Sequence, residues 1–450
     1  MTAVATEPSR TQPPASTAAP TLRERRPLRP LGRGPLAVAR SVMFWAHVAM
    51  GTVGGIIILI MSVTGVLLGF ERQLIARFDG VARAVPRTAS ARRMPLDSLL
   101  GRAGIEFGAV ASITAKAGPT EPVTVRFRER DRTPQLFDPY TGMTIAPVPR
   151  GKMAASMSLL RGWHRWLGAT GEHRPLMRKL TGAANIAFLL LVFSGLYIWW
   201  PKRLSKAAFK TAAVFNPRLG GKARDFNWHN SLGFWSAVPL AFVIATGVFI
   251  SYSWPGQWMD RLFGSAKERA AAIKAMNAPP PAGGAGEAAG NASPNNAQRA
   301  QASRDNAARD TSNNASTTLA PLGAMFATVA AAKPDWQSLT ITTPSARDSV
   351  VQFAVAEGNT YRPDLKTQYF FSAATGVQTR VTNFDSLSTS RKIRGWTRFG
   401  HTGEVFGLPG QFVATFVSFI GVMLVWTGLA LAWRRLVAFT RRRRRSALVV

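Results

Sequence analysis

Among the side chains of this 450-residue chain, the five histidines have the types and spacing that could do chemistry. His47 is followed seventeen residues later by Thr64-Gly65-Val66, and His229 is followed seventeen residues later by Thr246-Gly247-Val248. Both strings lie in strongly apolar stretches. An ionisable group inside a bilayer is costly and is kept where it has a task. A histidine repeated at one depth in two such stretches therefore points to a joint role, and axial ligation of one haem iron suits two imidazoles. The other three, His164, His173 and His401, lie at the opposite mouths of two further apolar stretches. They supply a second pair, in which either His164 or His173 can partner His401, with His164 preferred. Two ligand pairs on opposite faces of a membrane make a path for electrons.

The elements that must position these side chains are apolar runs long enough to cross a hydrocarbon core, which takes about 20 residues. Such runs occupy 42–70, 180–200, 231–254 and 405–433. Lys and Arg set their orientation. Seven Arg precede Ser41, seven Lys plus Arg fall within 201–228, and seven Arg follow Trp433. These segments are expected on the cytoplasmic side, with both termini inside and the long segments in the periplasm of a bacterium. Trp199 and Trp200, followed by Pro201-Lys202-Arg203, mark an interface. The division expected is a disordered basic tail (1–41), a first span (42–70), a first outer lobe (71–163), a second span with its helical approach (164–201), a cytoplasmic loop (202–228), a third span (229–254), a second outer segment (255–400), a fourth span (401–434) and a basic tail (435–450).

The two outer segments read alike. In the first, a short helix at 95–102 precedes strands at 109–115, 122–128 and 135–137. In the second, a helix at 320–332 precedes strands at 338–343, 349–356 and 368–372. Each is a small α+β lobe, the second covering 320–385, and about 60 residues is marginal for a lobe standing alone. Between them, 277–316 is rich in Ala, Asn, Pro, Gly and Ser and reads as a disordered insertion. Arg161-Gly162-Trp163 matches Arg394-Gly395-Trp396, and Thr170-Gly171-Glu172 matches Thr402-Gly403-Glu404. The expected fold is thus an α-helical membrane protein with a four-helix bundle, built by internal duplication of span, lobe and span.

Composition excludes several classes. The chain has no cysteine, so disulfides, iron–sulfur clusters and thiol catalysis are out. Its net charge of +33 is not spread over a solvated module with interleaved aromatics, which argues against a nucleic-acid partner. No Gly-rich nucleotide fingerprint occurs on the inner side, so the electron donor is expected to be a membrane quinol or a separate reductase. Gly51, Gly54 and Gly55 follow His47 and could bare the backbone for a flat macrocycle or for close helix packing. Gly65, Gly195, Gly247 and Gly428 each follow Ser or Thr and carry the same two readings. Arg40, Arg161, Arg165, Arg224 and Arg394 lie near histidines and could pair with haem propionates.

Four strings together resemble one family: Trp45-Ala46-His47 on to Thr64-Gly65, Trp163-His164-Arg165-Trp166-Leu167-Gly168, Ser194-Gly195-Leu196-Tyr197-Ile198-Trp199-Trp200-Pro201, and His401-Thr402-Gly403-Glu404. They are similar to the PepSY-associated transmembrane family of bacterial inner-membrane proteins linked to iron uptake, which includes siderophore reductases. The resemblance covers most of 41–434. It implies PepSY-like periplasmic lobes, two haem b groups, and His47, His164, His229 and His401 at the family's histidine positions; His173 has no counterpart in the second half. It implies a ferric siderophore or another ferric chelate as electron acceptor, reduced to the ferrous ion that hard oxygen ligands hold less tightly. Two other classes stay open: a non-redox protein whose lobes bind or regulate a periplasmic partner, and a permease for ferric chelates. The lobes carry no convergent catalytic set, and the spans lack the interruptions of a midplane transport site.

Overall fold

The computed structural model describes residues 35–85, 91–129, 131–149, 151–200, 205–277, 321–344 and 349–447. Residues 1–34 of the basic tail and 278–316 of the insertion lie outside the described residues. Among the described residues, four helices are long and apolar enough to cross a membrane: α1 (Pro35–Leu68), α5 (Arg174–Trp199), α7 (Gly221–Ser251) and α12 (Gly407–Ala447). The first extends at least seven residues ahead of the apolar run that announces it.

Within the bundle, Ile58, Ala184 and Val425 pack in one cluster and Leu240, Ile244, Val417, Ile420 and Leu424 in another. Large apolar side chains such as Val53, Ile56, Val238, Phe416 and Trp426 point outward and exposed, as a lipid-facing surface requires. At one end, called here the basic end, buried Asp225 on α7 pairs with Arg224 at 2.9 Å and with Arg434 on α12 at 3.0 Å. The short helix α6 (Lys206–Ala213) lies at this end of the chain path.

At the opposite, lobe end, the remaining elements are α2 (Glu71–Phe78), α3 (Leu96–Arg102), strands β1 (Val110–Lys116), β2 (Val123–Phe127), β3 (Gln135–Phe137) and β4 (Thr144–Ile145), and α4 (Lys152–Trp166). After α7 come α8 (Trp254–Phe263), α9 (Ala266–Asn277), α10 (Leu322–Ala332), β5 (Trp336–Thr342), β6 (Val350–Glu357), β7 (Lys366–Ser372), β8 (Gln378–Thr382) and α11 (Thr389–His401). Each lobe has a fourth strand, β4 or β8, that the hydrophobic pattern did not announce. The first is two residues long and the second is mostly exposed, so neither carries a buried alternation to read.

All eight strands form one antiparallel sheet in the order β4-β3-β2-β1-β5-β6-β7-β8. The join is the β1–β5 pair, where Thr114 stands opposite Thr340 and their hydroxyls are 3.1 Å apart. One face carries a single core that runs through both lobes, with Ile113, Val125 and Phe137 from the first and Leu339, Ile341, Phe353 and Phe371 from the second under Leu99, Met325 and Val329. Each lobe alone is too small to bury such a core, and pairing two edges removes an open edge as well. Asp97 fastens the helices over it, accepting from the backbone N–H of Leu322 at 3.0 Å and of Gly323 at 2.6 Å at the start of α10.

The lobes are tied to the spans by specific contacts. The Asn359 amide donates to the carbonyls of Glu404 and Val405 at 3.0 and 3.3 Å, and the half-exposed Arg72 pairs with the buried Glu404 at 2.9 Å. Asp79, just past α2, accepts from the N–H groups of Met153 and Ala154 at 3.1 and 2.6 Å and so caps α4. Asp260 on α8 holds α11 through Arg394 at 2.6 Å and through Ser390. These contacts position the two helices that carry His164 and His401 near their ends.

Candidate functional site

The helices bring four of the five histidines into two facing pairs. His47 of α1 and His229 of α7 have ring centres 6.3 Å apart near the basic end, with planes at 86°. His164 of α4 and His401 of α11 have ring centres 6.3 Å apart at the lobe end, with planes at 57°. His173 is exposed on the turn before α5; the partner facing His401 is His164. Seventeen helical residues separate His47 from Thr64, which contacts His164, so the pairs are about 26 Å apart along α1.

Each imidazole is held through Nδ1 by the Ser or Thr of a Ser/Thr-Gly step on another span. His47 meets Ser194 Oγ at 2.8 Å and His164 meets Thr64 Oγ1 at 3.0 Å. His229 meets Thr427 Oγ1 at 3.0 Å and His401 meets Thr246 Oγ1 at 3.1 Å. Every one of these hydroxyls donates its own proton to a carbonyl four residues back: Ser194 to Leu190, Thr64 to Ile60, Thr427 to Met423 and Thr246 to Phe242. The hydroxyl oxygen therefore accepts, and Nδ1 carries the proton. Three of the rings also donate to a carbonyl three residues before that hydroxyl, His164 to Met61 at 3.0 Å, His229 to Leu424 at 3.1 Å and His401 to Val243 at 2.9 Å. With Nδ1 a fixed donor, Nε2 keeps its lone pair, which is the atom a metal takes.

The glycine of each step has a matching reason. In an α-helix the N–H of residue i+1 bonds the carbonyl of i−3, so the residue after the hydroxyl sits beside the carbonyl that the imidazole uses. A Cβ there would stand against the ring, in ordinary contact at Gly65 (His164 Cε1 at 3.6 Å) and Gly195 (His47 at 3.4 Å) and tightly at Gly247 (His401 at 3.3 Å) and Gly428 (His229 at 3.2 Å). By contrast, a Cβ on Gly51 or Gly55 would meet Leu191 at 3.8 Å or Leu429 at 3.2 Å, and one on Gly54 would meet Ile58 at 3.5 Å. Gly55 thus serves close packing of α1 on α12.

Ring spacing is a test of what the pairs could hold. An imidazole nitrogen ligates a first-row metal at about 2.0–2.1 Å and lies roughly 1.1 Å from its own ring centre, so two rings gripping one ion from opposite sides have centres about 6.3 Å apart. Both pairs have that separation. Among the described residues, no group of three or more His, Cys, Asp or Glu could hold a metal ion. Each pair is thus a two-ligand set, which fits an ion whose other positions are filled by a macrocycle. The arginines nearest the histidines are largely committed elsewhere: Arg161 to Glu71, Arg224 to Asp225 and Arg394 to Asp260.

The family model for the PepSY-associated TM region matches residues 44–435. The chain belongs to that family. No curated protein matches it. It is a mostly helical membrane protein of the PepSY-associated family, and the four Ser/Thr-Gly steps that hold histidines fall inside the matched region together with those histidines.

Proposed function

We propose that this PepSY-associated protein holds two haem b groups, one between His47 and His229 and one between His164 and His401, and carries electrons across the membrane to a ferric chelate. The observation that carries the reading is the pair of 6.3 Å ring separations, each with both Nδ1 atoms fixed as donors. A bound haem supplies one-electron chemistry. The chain's own residues fix the imidazole tautomer, and His47 with His229 and His164 with His401 would each hold a haem through two imidazoles, which would leave it for electron transfer instead of oxygen chemistry.

The orientation proposed puts the basic end in the cytoplasm of a bacterial inner membrane, with both termini inside and the two PepSY-like lobes in the periplasm. Support comes from the Lys and Arg of 201–228 and from the Arg run after Trp433. The matching order α3-β1-β2-β3-β4 and α10-β5-β6-β7-β8, together with the exchange of imidazole and hydroxyl between α1 and α5 and between α7 and α12, supports an internal duplication. Electrons enter at the His47–His229 pair from a quinol or a separate reductase and leave at the His164–His401 pair. There one electron reduces each ferric ion of a siderophore or similar chelate, and the ferrous ion is released because hard oxygen ligands hold it less tightly. In this reading the protein is a ferric-siderophore reductase.

An absorption spectrum of the full chain, purified from cells with ample haem, tests the proposal. The expected result is a Soret band and a dithionite-reduced b-type α band with about two haems per chain. A colourless protein would end it.

A further inference from the structure

The join between the lobes carries a cavity of about 430 Å³, walled by Lys116 and Glu121 from the first lobe and by Gln337, Ser338, Thr360 and Tyr361 among others from the second. Lys116 and Ser338 stand opposite each other in the β1–β5 pair, on the face turned away from the common core. Two walls reach the segment that presents His401. Tyr361 packs on Phe399, two residues before His401 on α11, with ring centres 5.3 Å apart. The amide of Asn359, another wall residue, donates to the Glu404 and Val405 carbonyls just beyond His401, at 3.0 and 3.3 Å. A larger cavity beside it, about 520 Å³, shares Lys116 and Glu121, but its walls all lie within residues 80–148. The smaller cavity is the one fastened to the lobe-end pair.

The lining shows what would fit. Gln337, Ser338 and Thr360 bring an amide and two hydroxyls whose side chains, among the described residues, bond no other protein group. A gap left by imperfect packing is apolar and dry, whereas convergent polar groups in a cavity of this size are the form a small-molecule seat takes. The charges on the wall cancel, since Lys116 and Glu121 pair at 2.9 Å. Arg72, which lies over the Tyr361 ring, is paired in turn with Glu404 at 2.9 Å. An anion would therefore lose hydration here with no net positive charge to offset it. An uncharged ligand rich in carbonyl and hydroxyl oxygens loses less and gains the unbonded donors.

We infer that this cavity seats the electron acceptor and selects an uncharged ferric chelate with amide-type oxygens, an inference that rests on the haem reading above. A ferric ion held by three hydroxamates has that character, because their negative charges balance the metal. Selection comes from the neutral wall as much as from the hydrogen bonds, since an anionic chelate meets Glu121 together with Lys116.

The test uses the full-length chain and three probes: an uncharged ferric trihydroxamate, its gallium analogue, which takes up no electron, and anionic ferric citrate. Ser338→Phe fills the cavity from a strand position, where an aromatic side chain is well tolerated, and Thr360→Trp fills it from a loop should the first variant fail to fold. Calorimetric titration with the gallium chelate reads the seat without any haem. Wild type is expected to bind it, and a filled variant to bind it roughly tenfold or more weakly. In the haem-loaded protein, reoxidation of the dithionite-reduced form by subsaturating ferric trihydroxamate should slow by a similar factor, with the Soret spectrum unchanged. Glu121→Gln leaves Lys116 uncompensated and should shift preference towards ferric citrate. No binding of the gallium chelate, equal binding by wild type and a folded filled variant, or a wild-type preference for citrate overturns the seat. Weakened gallium binding with an unchanged rate of reoxidation overturns its assignment to the acceptor. If the wild-type protein shows no Soret band, the haem reading itself has failed, and the gallium titration still decides whether the cavity holds an uncharged chelate.

Discussion

His47 and His229 stand on the membrane-length helices themselves, α1 and α7, whereas His164 and His401 stand on α4 and α11, two helices outside the spans. The first pair inherits its geometry from the packing of four continuous helices. The second depends on carboxylates that fasten separate helices, Asp79 at the start of α4 and Asp260 beside α11. Yet both pairs reach the same ring separation. What is common to them is the seat, a Ser/Thr-Gly step on a neighbouring span, and the helix that presents the imidazole is free to vary. The basic-end pair is thereby a property of the bundle, and the lobe-end pair a property of the bundle and the lobes together.

If the pairs are separate seats, removing one imidazole should empty one site only. His229→Ala is expected to abolish the basic-end haem and stop transmembrane transfer, leaving about one b haem per chain with the lobe-end signal intact. His401→Ala should do the reverse, and haem counting with low-temperature spectra of each variant reads the outcome. Loss of both signals from either single change would show that the seats are coupled, and the comparison would fail at its root.

A finer difference lies in how each ring is held. His47 donates to Ser194 Oγ alone, while His164 donates to both Thr64 Oγ1 and the Met61 carbonyl. Ser194→Ala therefore strands a partly buried N–H, a cost of about 1–3 kcal/mol, whereas Thr64→Val leaves its histidine with a carbonyl partner. Haem affinity is expected to fall about 10–100-fold at the basic end in the first variant and by about threefold or less at the lobe end in the second. Competition with apomyoglobin measures both. Equal losses would mean that the hydroxyl, and not the count of acceptors, sets the hold.

The spans, the order of the lobes and the identity of the paired histidines were legible in the sequence, because apolar runs, strand alternation and a histidine in a bilayer leave signals that depend on few neighbours. The single sheet was not, since pairing of Thr114 with Thr340 joins residues 226 apart and no local pattern encodes it. The match of Arg161-Gly162-Trp163 with Arg394-Gly395-Trp396 puts Thr397 at the position that corresponds to His164, but the structure presents His401, four residues later. Four residues is about one helical turn, so the face is kept while the position slides. The four Ser/Thr-Gly steps that seat histidines were visible as motifs, yet their task was hidden because each serves a histidine on a different element. Counting alone would not have found it, because the spans hold five such steps for four histidines, and the fifth, Thr181-Gly182 on α5, meets Tyr252 and no histidine.

Glycine in those steps gives the smallest and sharpest comparison. At Gly65 a Cβ would stand 3.6 Å from His164 Cε1 and 3.4 Å from Ser418 Oγ, which is ordinary contact. At Gly247 it would stand 3.3 Å from His401 Cε1 and 2.6 Å from the Asn185 amide nitrogen, which donates to the Ile244 carbonyl at 3.1 Å. The two glycines flank one site, so a single spectrum compares them. Gly65→Ala should leave the lobe-end haem in place and stabilise α1 by up to about 1 kcal/mol through helix propensity. Gly247→Ala must move Asn185, forfeiting a hydrogen bond worth about 1 kcal/mol, and nudge His401, with a shifted lobe-end α band as the sign. Gly428→Ala and Gly195→Ala, at 3.2 and 3.4 Å from His229 and His47, should fall between them and act on the basic-end band alone. Should Gly65→Ala prove the more damaging change, the space beside the imidazole is not what these glycines provide, and the seat would have to be assigned to backbone flexibility instead.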